Sequence, residues 1–146
     1  MQTEFFLIPL DELKPHVDPL AGTLWQCDPI QKKAVLDAVQ NGEFDTRYWD
    51  DEKDDLVGRI GHSFHARRIA NFVANGPPVD EYSIQLFLGE ASAVGVGVTV
   101  NNGNHRIAAA ILRGDKTVRA LLYFSQIEVP YQYFPGAFPT ALRAHV

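Results

Sequence analysis

The stretch that most constrains this chain runs from Val94 to Arg113, where the β-branched run Val96 to Val100 passes through N-N-G-N-H-R into the alanine-rich I-A-A-A-I-L-R. β-Branched residues favour extended backbone and alanines favour helix, so the polar letters between them form a strand-to-helix turn. Gly103 supplies the positive φ that such a turn needs. In a purely structural alternative, Asn104 caps a helix starting at His105. Amides in a first helical turn lack intrahelical partners and lie at the positive end of the dipole, which favours an anion there. Asn102, Asn104, His105 and Arg106 add side-chain donors at the same mouth. The turn therefore reads as a phosphate-receiving loop, although Asn-Gly is also an ordinary structural turn pair.

The 146 residues suit one domain, 1–146, with a real core. A hydrophobic share of 46% with 21% charged residues describes a globular chain rather than a disordered one. The net charge of -5 and pI near 5.4 disfavour a dedicated nucleic-acid binder, which normally carries a basic footprint. The apolar run Phe5 to Ile8 is too short for a signal sequence or a membrane span, so the expectation is a cytoplasmic protein with no membrane contact. A single cysteine, Cys27, excludes an internal disulfide and a cysteine zinc cage, and reads as a half-buried small residue.

Along the chain, Glu4 to Leu10 reads as a strand whose Pro9 suits an edge or a terminus, followed by a turn at Asp11 to His16. Asp28-Pro29 caps a helix over Ile30 to Gln40, stopped by Asn41-Gly42, with Ile30, Ala34, Val35, Ala38 and Val39 on its core face. Arg47 to Asp55 holds five acidic residues in nine. Its readings are a solvated loop anchored by Tyr48 and Trp49, a site for a hard metal such as Mg²⁺, or a surface for a basic partner. Ser63 caps a second helix that Gly76-Pro77-Pro78 stops, with His65, Ile69, Phe72 and Val73 on one face. His62 and His65 lack the i,i+4 spacing of a helical metal pair. With Arg67 and Arg68 they form a cluster suited to closing over an anion. Tyr82 to Leu88 and Ala93 to Val100 read as strands, the second with Gly95 and Gly97 clearing space above the loop. Ile107 to Leu112 packs on the sheet, Gly114 ends that helix, and Thr117 to Phe124 is the last strand. In 129–146, Pro130, Pro135 and Pro139 forbid a regular element across the stretch. Their aromatic neighbours suggest an arm lying along the domain or along a second copy in a homodimer.

The run N-N-G-N-H-R-I-A-A-A-I-L-R-G resembles the D-G-N-H-R-x-x-A-x-x-x-x-G signature of the ParB/sulfiredoxin-like superfamily, with Asn102 where the signature has aspartate. F-F-L-I-P-L-D-E-L-K-P, Phe5 to Pro15, resembles the I-P-L-x-x-L-x-P opening of the same domains. The order of opening strand, middle helix, strand, signature and closing strand agrees across most of Glu4 to Phe124, whereas Leu20 to Gly61 has no counterpart. The resemblance implies an α+β fold, a small mixed sheet with helices packed on it and a strand-loop-helix phosphate-binding turn. It also implies a stand-alone ParB-like domain.

In such a domain the site comprises Asn102, Gly103, Asn104, His105 and Arg106. Lys14 and His16 join from the opening segment, and Arg68 from the histidine-arginine cluster. The amides cradle a phosphate while Arg106 grips its oxygens in a forked contact. His105, with an ordinary pKa near 6.5, is the candidate catalytic residue, as phosphate donor or proton shuttle. The resemblance implies a nucleotide, ATP, ADP or CTP, or another small phosphorylated ligand, with Mg²⁺ held by carboxylates among Asp11, Glu12, Asp50, Asp51 and Glu52. Sulfiredoxins use a cysteine immediately before the H-R pair, and Asn104 stands there, which argues against that activity. Chromosome-partition ParB proteins carry a G-E-R-R-type loop, a downstream helix-turn-helix and a dimerisation tail that the 146 residues do not show, so clamp formation on a centromere is not expected. The expected function is binding of a nucleotide or phosphorylated ligand, with phosphate hydrolysis or transfer as its enzymatic extension. The alternatives are a protein-interaction domain using the aromatic arm and the acidic run, or a ParB-like nuclease or nucleic-acid binder using Arg67, Arg68, Arg106, Arg113 and Arg119.

Overall fold

The computed structural model describes residues 1–47, 59–75 and 84–140. Strands β1 (Gln2–Pro9), β2 (Gln85–Leu88), β3 (Val98–Asn102), β4 (Thr117–Phe124) and β5 (Phe138–Pro139) form one mixed sheet in the order β3-β2-β4-β1-β5. Helices α1 (Leu10–Leu13), α2 (Lys32–Asn41), α3 (Arg59–Asn75), α4 (Asn104–Arg113) and α5 (Val129–Tyr133) complete the described α+β architecture. The central pair is β1 antiparallel to β4, from Gln2 opposite Phe124 to Pro9 opposite Thr117. Pro9, which cannot donate to a ladder, closes β1. β2 runs parallel to β4, and the crossover between them is β3 and α4.

The core is organised by α4. Its Ile107 and Ala110 join Phe6, Ile8, Leu86, Leu88, Leu122 and Phe124 of the sheet, while Ala108 and Ala109 join Trp25, Val35, Ala38, Ala66, Ile69 and Ala70. Residues 107–110 are all 0% exposed, so α4 is a middle layer between the sheet and the pair α2 and α3. Methyl side chains let α3 approach this layer closely and cost little entropy in the helix.

Several boundaries differ from the sequence reading, each for a local reason. α2 starts after Gln31 rather than at Ile30, which leaves Asp28-Pro29 in the preceding loop, although its expected face is the buried one. α3 starts at Arg59, so Ser63 lies inside the helix and caps nothing. β3 starts at Val98, not Ala93. Gly95 and Gly97, with φ of 79° and 76°, belong to the β2–β3 turn, and open space surrounds the point where each would carry a Cβ. They therefore serve a left-handed backbone and clear no room above the loop. That turn is closed by the Gly89 N–H donating to Gly97 O at 2.8 Å and the Ser92 hydroxyl to Val96 O at 2.6 Å.

The C-terminal arm contains regular structure despite its prolines. Pro130 occupies the first turn of α5, where a missing N–H breaks no helical bond. β5 pairs with Phe6 and Leu7, so Thr117 to Phe124 is not the last strand. Phe134 is 0% exposed, the Tyr133 hydroxyl accepts the Gly97 N–H, and Glu12 accepts the Gly136 N–H. Through residue 140 the arm lies along its own sheet. The acidic run 50–55 with Tyr48 and Trp49, the Gly76-Pro77-Pro78 stop, Tyr82 and residues 141–146 lie outside the described residues. Among the described residues no helix is long and apolar enough to cross a membrane.

Because Leu122 is 0% exposed at the centre of β4, Leu122→Ala is expected to lower unfolding stability by about 2–5 kcal/mol. Leu36→Ala on the outer face of α2, where 43% of the residue is exposed, is expected to change it by less than about 0.5 kcal/mol. Urea titration of the two variants checks the difference.

Candidate functional site

β3 delivers Asn101 and Asn102 to the mouth of α4, and Gly103 makes the turn with φ 109° and ψ 14°. Gly103 is the N-cap, and the cap makes no side-chain hydrogen bond. Asn104 is therefore the first helical residue and not the cap. The Ile107 N–H donates to Gly103 O at 2.9 Å. The amides of Asn104, His105 and Arg106 thus precede the helical ladder, as first-turn amides do.

A cavity of about 140 Å³ opens at this mouth, lined by Asn101 to Arg106, by Arg68 and Phe72 of α3, and by Leu24 and Trp25. Arg68 is only 7% exposed. Its guanidinium carbon lies 4.6 Å from the centre of the Phe72 ring, and that of Arg106 lies 4.5 Å from the same ring. Phe72 follows Arg68 by one helical turn, so α3 itself sets one of these contacts. Two guanidinium groups are thereby gathered beside the positive end of α4.

Behind the arginines, His65 Nδ1 and His105 Nε2 share a hydrogen bond of 2.8 Å. Trp25 stacks on both imidazoles, with ring centres 4.1 Å and 4.5 Å away and tilts of 13° and 11°. Phe64 meets both edge-on. Trp25 is carried by a short loop that bends back at Gly22, φ 79°, and Gln26, φ 55°. A Cβ at Gly22 would fall 2.5 Å from the Asp28 carbonyl oxygen, so the loop closes this tightly only on glycine.

Burial, with the nearby charge of His62, pushes His65 down to about 3. Burial also holds His105 well below the ordinary range, aided by His65, Arg68 and Arg106 and opposed by Asp45. The amino end of α4 acts in the same direction. A drop from 6.5 to about 3 is worth roughly 5 kcal/mol, more than the ~2 kcal/mol a tryptophan face offers a cation. Both imidazoles are therefore neutral at pH 7, and the positive charge at the mouth belongs to the arginines. Asp45 is kept below the usual carboxylate range by its hydrogen bonds from Arg47 and the charges of Arg47 and Arg68.

Asn102, Gly103, Asn104, His105, Arg106 and Arg68 thus surround one cavity, as the sequence suggested. Lys14 does not join them: it stands at the end of α1, 3.4 Å from Asp11. His16 packs edge-on against Tyr133 and Phe134. Of the five arginines proposed as a basic face, Arg68 and Arg106 meet at the cavity and the other three point elsewhere. Arg67 faces Glu43, Arg113 binds Asp115 and the Phe72 carbonyl, and Arg119 lies over Phe5. No carboxylate among the described residues lines the cavity, and those residues contain no group of three or more potential metal ligands. Glu12 is bound to Gly136, while Asp50, Asp51 and Glu52 lie outside the described residues.

The sequence reading missed Trp25 and Phe72. Phe72 was visible as the residue one turn beyond Arg68, whereas Trp25 carried no signal because nothing in sequence ties its loop to α3 or α4. No protein-family model, curated protein or solved structure matches the chain.

The histidine pair makes stability depend on pH in a defined direction. Above about pH 6.5 the histidines are neutral in folded and unfolded chains alike. Below it the unfolded chain takes up protons that folded His65 refuses until about pH 3. Unfolding free energy is therefore expected to fall with decreasing pH across that window, by up to about 1.4 kcal/mol per pH unit for each histidine. Denaturant titrations from pH 7.5 to pH 4 check the slope, which a His65→Leu, His105→Leu double variant is expected to flatten.

Proposed function

We propose that this chain is a small α+β domain of the ParB/sulfiredoxin-like kind that binds a nucleotide or another phosphorylated ligand at the mouth of α4. The observation carrying this reading is the meeting of Arg68 and Arg106 on one Phe72 ring beside the first-turn amides of α4, in a cavity whose described wall has no carboxylate. Guanidinium groups offer planar forks of donors suited to phosphate oxygens. The first-turn amides add fixed partial positive charge. The element order from β1 through α3, β2, β3 and α4 to β4 supports the superfamily reading, as does N-G-N-H-R at the turn itself.

His105 is the acid–base candidate for phosphate hydrolysis or transfer. It lines the cavity, it is neutral, and its Nε2 shares a hydrogen bond with His65 Nδ1. A neutral imidazole paired with another can take a proton and pass it on.

Calorimetric titration with ATP, ADP, CTP and GTP, with and without Mg²⁺, tests binding. Arg68→Ala and Arg106→Ala are each expected to weaken it by about tenfold or more, since a hydrogen bond to a charged group is worth about 1.5–3 kcal/mol. Arg119→Ala, on the far side of β1 and β4, is expected to leave it unchanged. Equal affinity in wild type and Arg106→Ala would remove the site assignment.

A further inference from the structure

The histidine pair behind the cavity limits how many protons the folded chain can accept there. A bond of 2.8 Å between His65 Nδ1 and His105 Nε2 has room for one hydrogen, donated by one ring and accepted by the other. An imidazolium carries N–H on both of its nitrogens. One proton added to the pair leaves the bond in place. A second puts two hydrogens into the gap that held one and turns two cations toward each other. The rings, whose centres are 5.0 Å apart, then have to separate.

The elements around the pair decide what gives way. His65 and Phe64 lie inside α3, a helix of 17 residues, and His105 stands in the first turn of α4, whose residues 107–110 are wholly buried. Trp25, which stacks on both imidazoles, is carried instead by a loop of two short 3-10 turns, Pro19–Ala21 and Thr23–Trp25. That loop passes through Gln26, φ 55°, the one residue with a side chain among the described residues that takes a left-handed backbone. Leu24 and Trp25 of the same loop form part of the cavity wall.

We propose that this loop is an acid-released lid: uptake of a second proton splits the pair of His65 and His105, lifts Trp25 from it and opens the side of the cavity that Leu24 and Trp25 line. The device works whatever the cavity binds. Its driving force is linkage, because the open loop lets both histidines titrate near their ordinary pKa of about 6.5 and the closed loop admits at most one proton. Burial is the first obstacle to a proton on either ring of the closed form. His62 on α3 adds to it at His65, while Arg68 on α3 and Arg106 on α4 add to it at His105. Asp45, hydrogen-bonded by Arg47, pulls the other way at His105, and the Arg47 guanidinium lies over Phe64. The ratio of open to closed loop is therefore expected to rise by about tenfold per pH unit below the ordinary histidine range for each proton taken up on opening.

Acrylamide quenching of fluorescence from pH 7.5 to pH 4 tests the lid in a Trp49→Phe protein, whose single tryptophan is Trp25. Far-UV circular dichroism is recorded on the same samples. Quenching of Trp25 is expected to rise by about threefold or more, reversibly, at a pH where the dichroism is still native. His65→Asn and His105→Gln each keep a hydrogen-bonding group near the shared bond but take up no proton, and each is expected to keep Trp25 shielded over that range. In the ¹⁵N-labelled protein, the ring nitrogens of His65 and His105 are expected to take imidazolium shifts at the same step, a readout that does not depend on either variant folding. A Trp25 that stays shielded until secondary structure is lost would overturn the proposal. So would an unchanged step in the two variants, or rings that are still neutral once Trp25 is exposed.

Discussion

The structure depends on burying α4 on two sides at once. A helix with one apolar stripe can lie on a sheet, but α4 has the sheet on one flank and α2 with α3 on the other, and residues 107–110 are wholly buried. That placement requires small side chains where the helical layer approaches and a larger one where the sheet must be filled. Ile107 followed by three alanines meets both demands. The consequence for the site is direct. The mouth of α4 sits where all three layers come together, so its first turn receives residues from β3, from α3 and from the loop holding Trp25.

This convergence also decides the electrostatics. Two imidazoles at the amino end of a buried helix are costly when charged, and the molecule answers by letting them share one hydrogen bond beneath the face of Trp25. The positive potential at the mouth then comes from groups that cannot lose their protons, Arg68 and Arg106, together with the peptide dipoles. Guanidinium groups keep their charge through the physiological range, whereas an ordinary histidine switches within it.

What was legible in the sequence follows from the range of the forces involved. The β3-turn-α4 unit was plain because β-branched, glycine and alanine preferences act within a few residues, and the same holds for β4 and for the end of α4 at Gly114. Helix starts were less plain. Ser63 and Asn104 have capping chemistry, yet α3 begins upstream of the first and Gly103 takes the place of the second, because packing set the helix length and a left-handed turn set the cap. The prolines of the arm misled in the opposite sense, since one at the first turn of a helix and one in a two-residue edge strand are both tolerated. Within the site, Asn102 to Arg106 were legible as neighbours in sequence and Arg68 as part of a basic cluster. The pairing of His65 with His105 spans 40 residues, and only the packing of α3 on α4 makes it.

The cost of the arrangement points to its use. Placing cations beside the positive end of a helix is unfavourable by a few tenths to one kcal/mol each, and a buried arginine such as Arg68 adds a desolvation cost. Phe72 offsets part of this by accepting both guanidinium groups on its ring, and Asp45 lies close enough to Arg68 to feel its charge. An anion drawn into the cavity would meet the arginines and the dipole together, and would stabilise the folded chain in proportion to its occupancy. A merely structural turn needs none of these charges, and an alanine helix can be capped by asparagine alone. On the proposed reading, the fold gathers two guanidinium groups at a helix mouth where a bound oxyanion would meet them together.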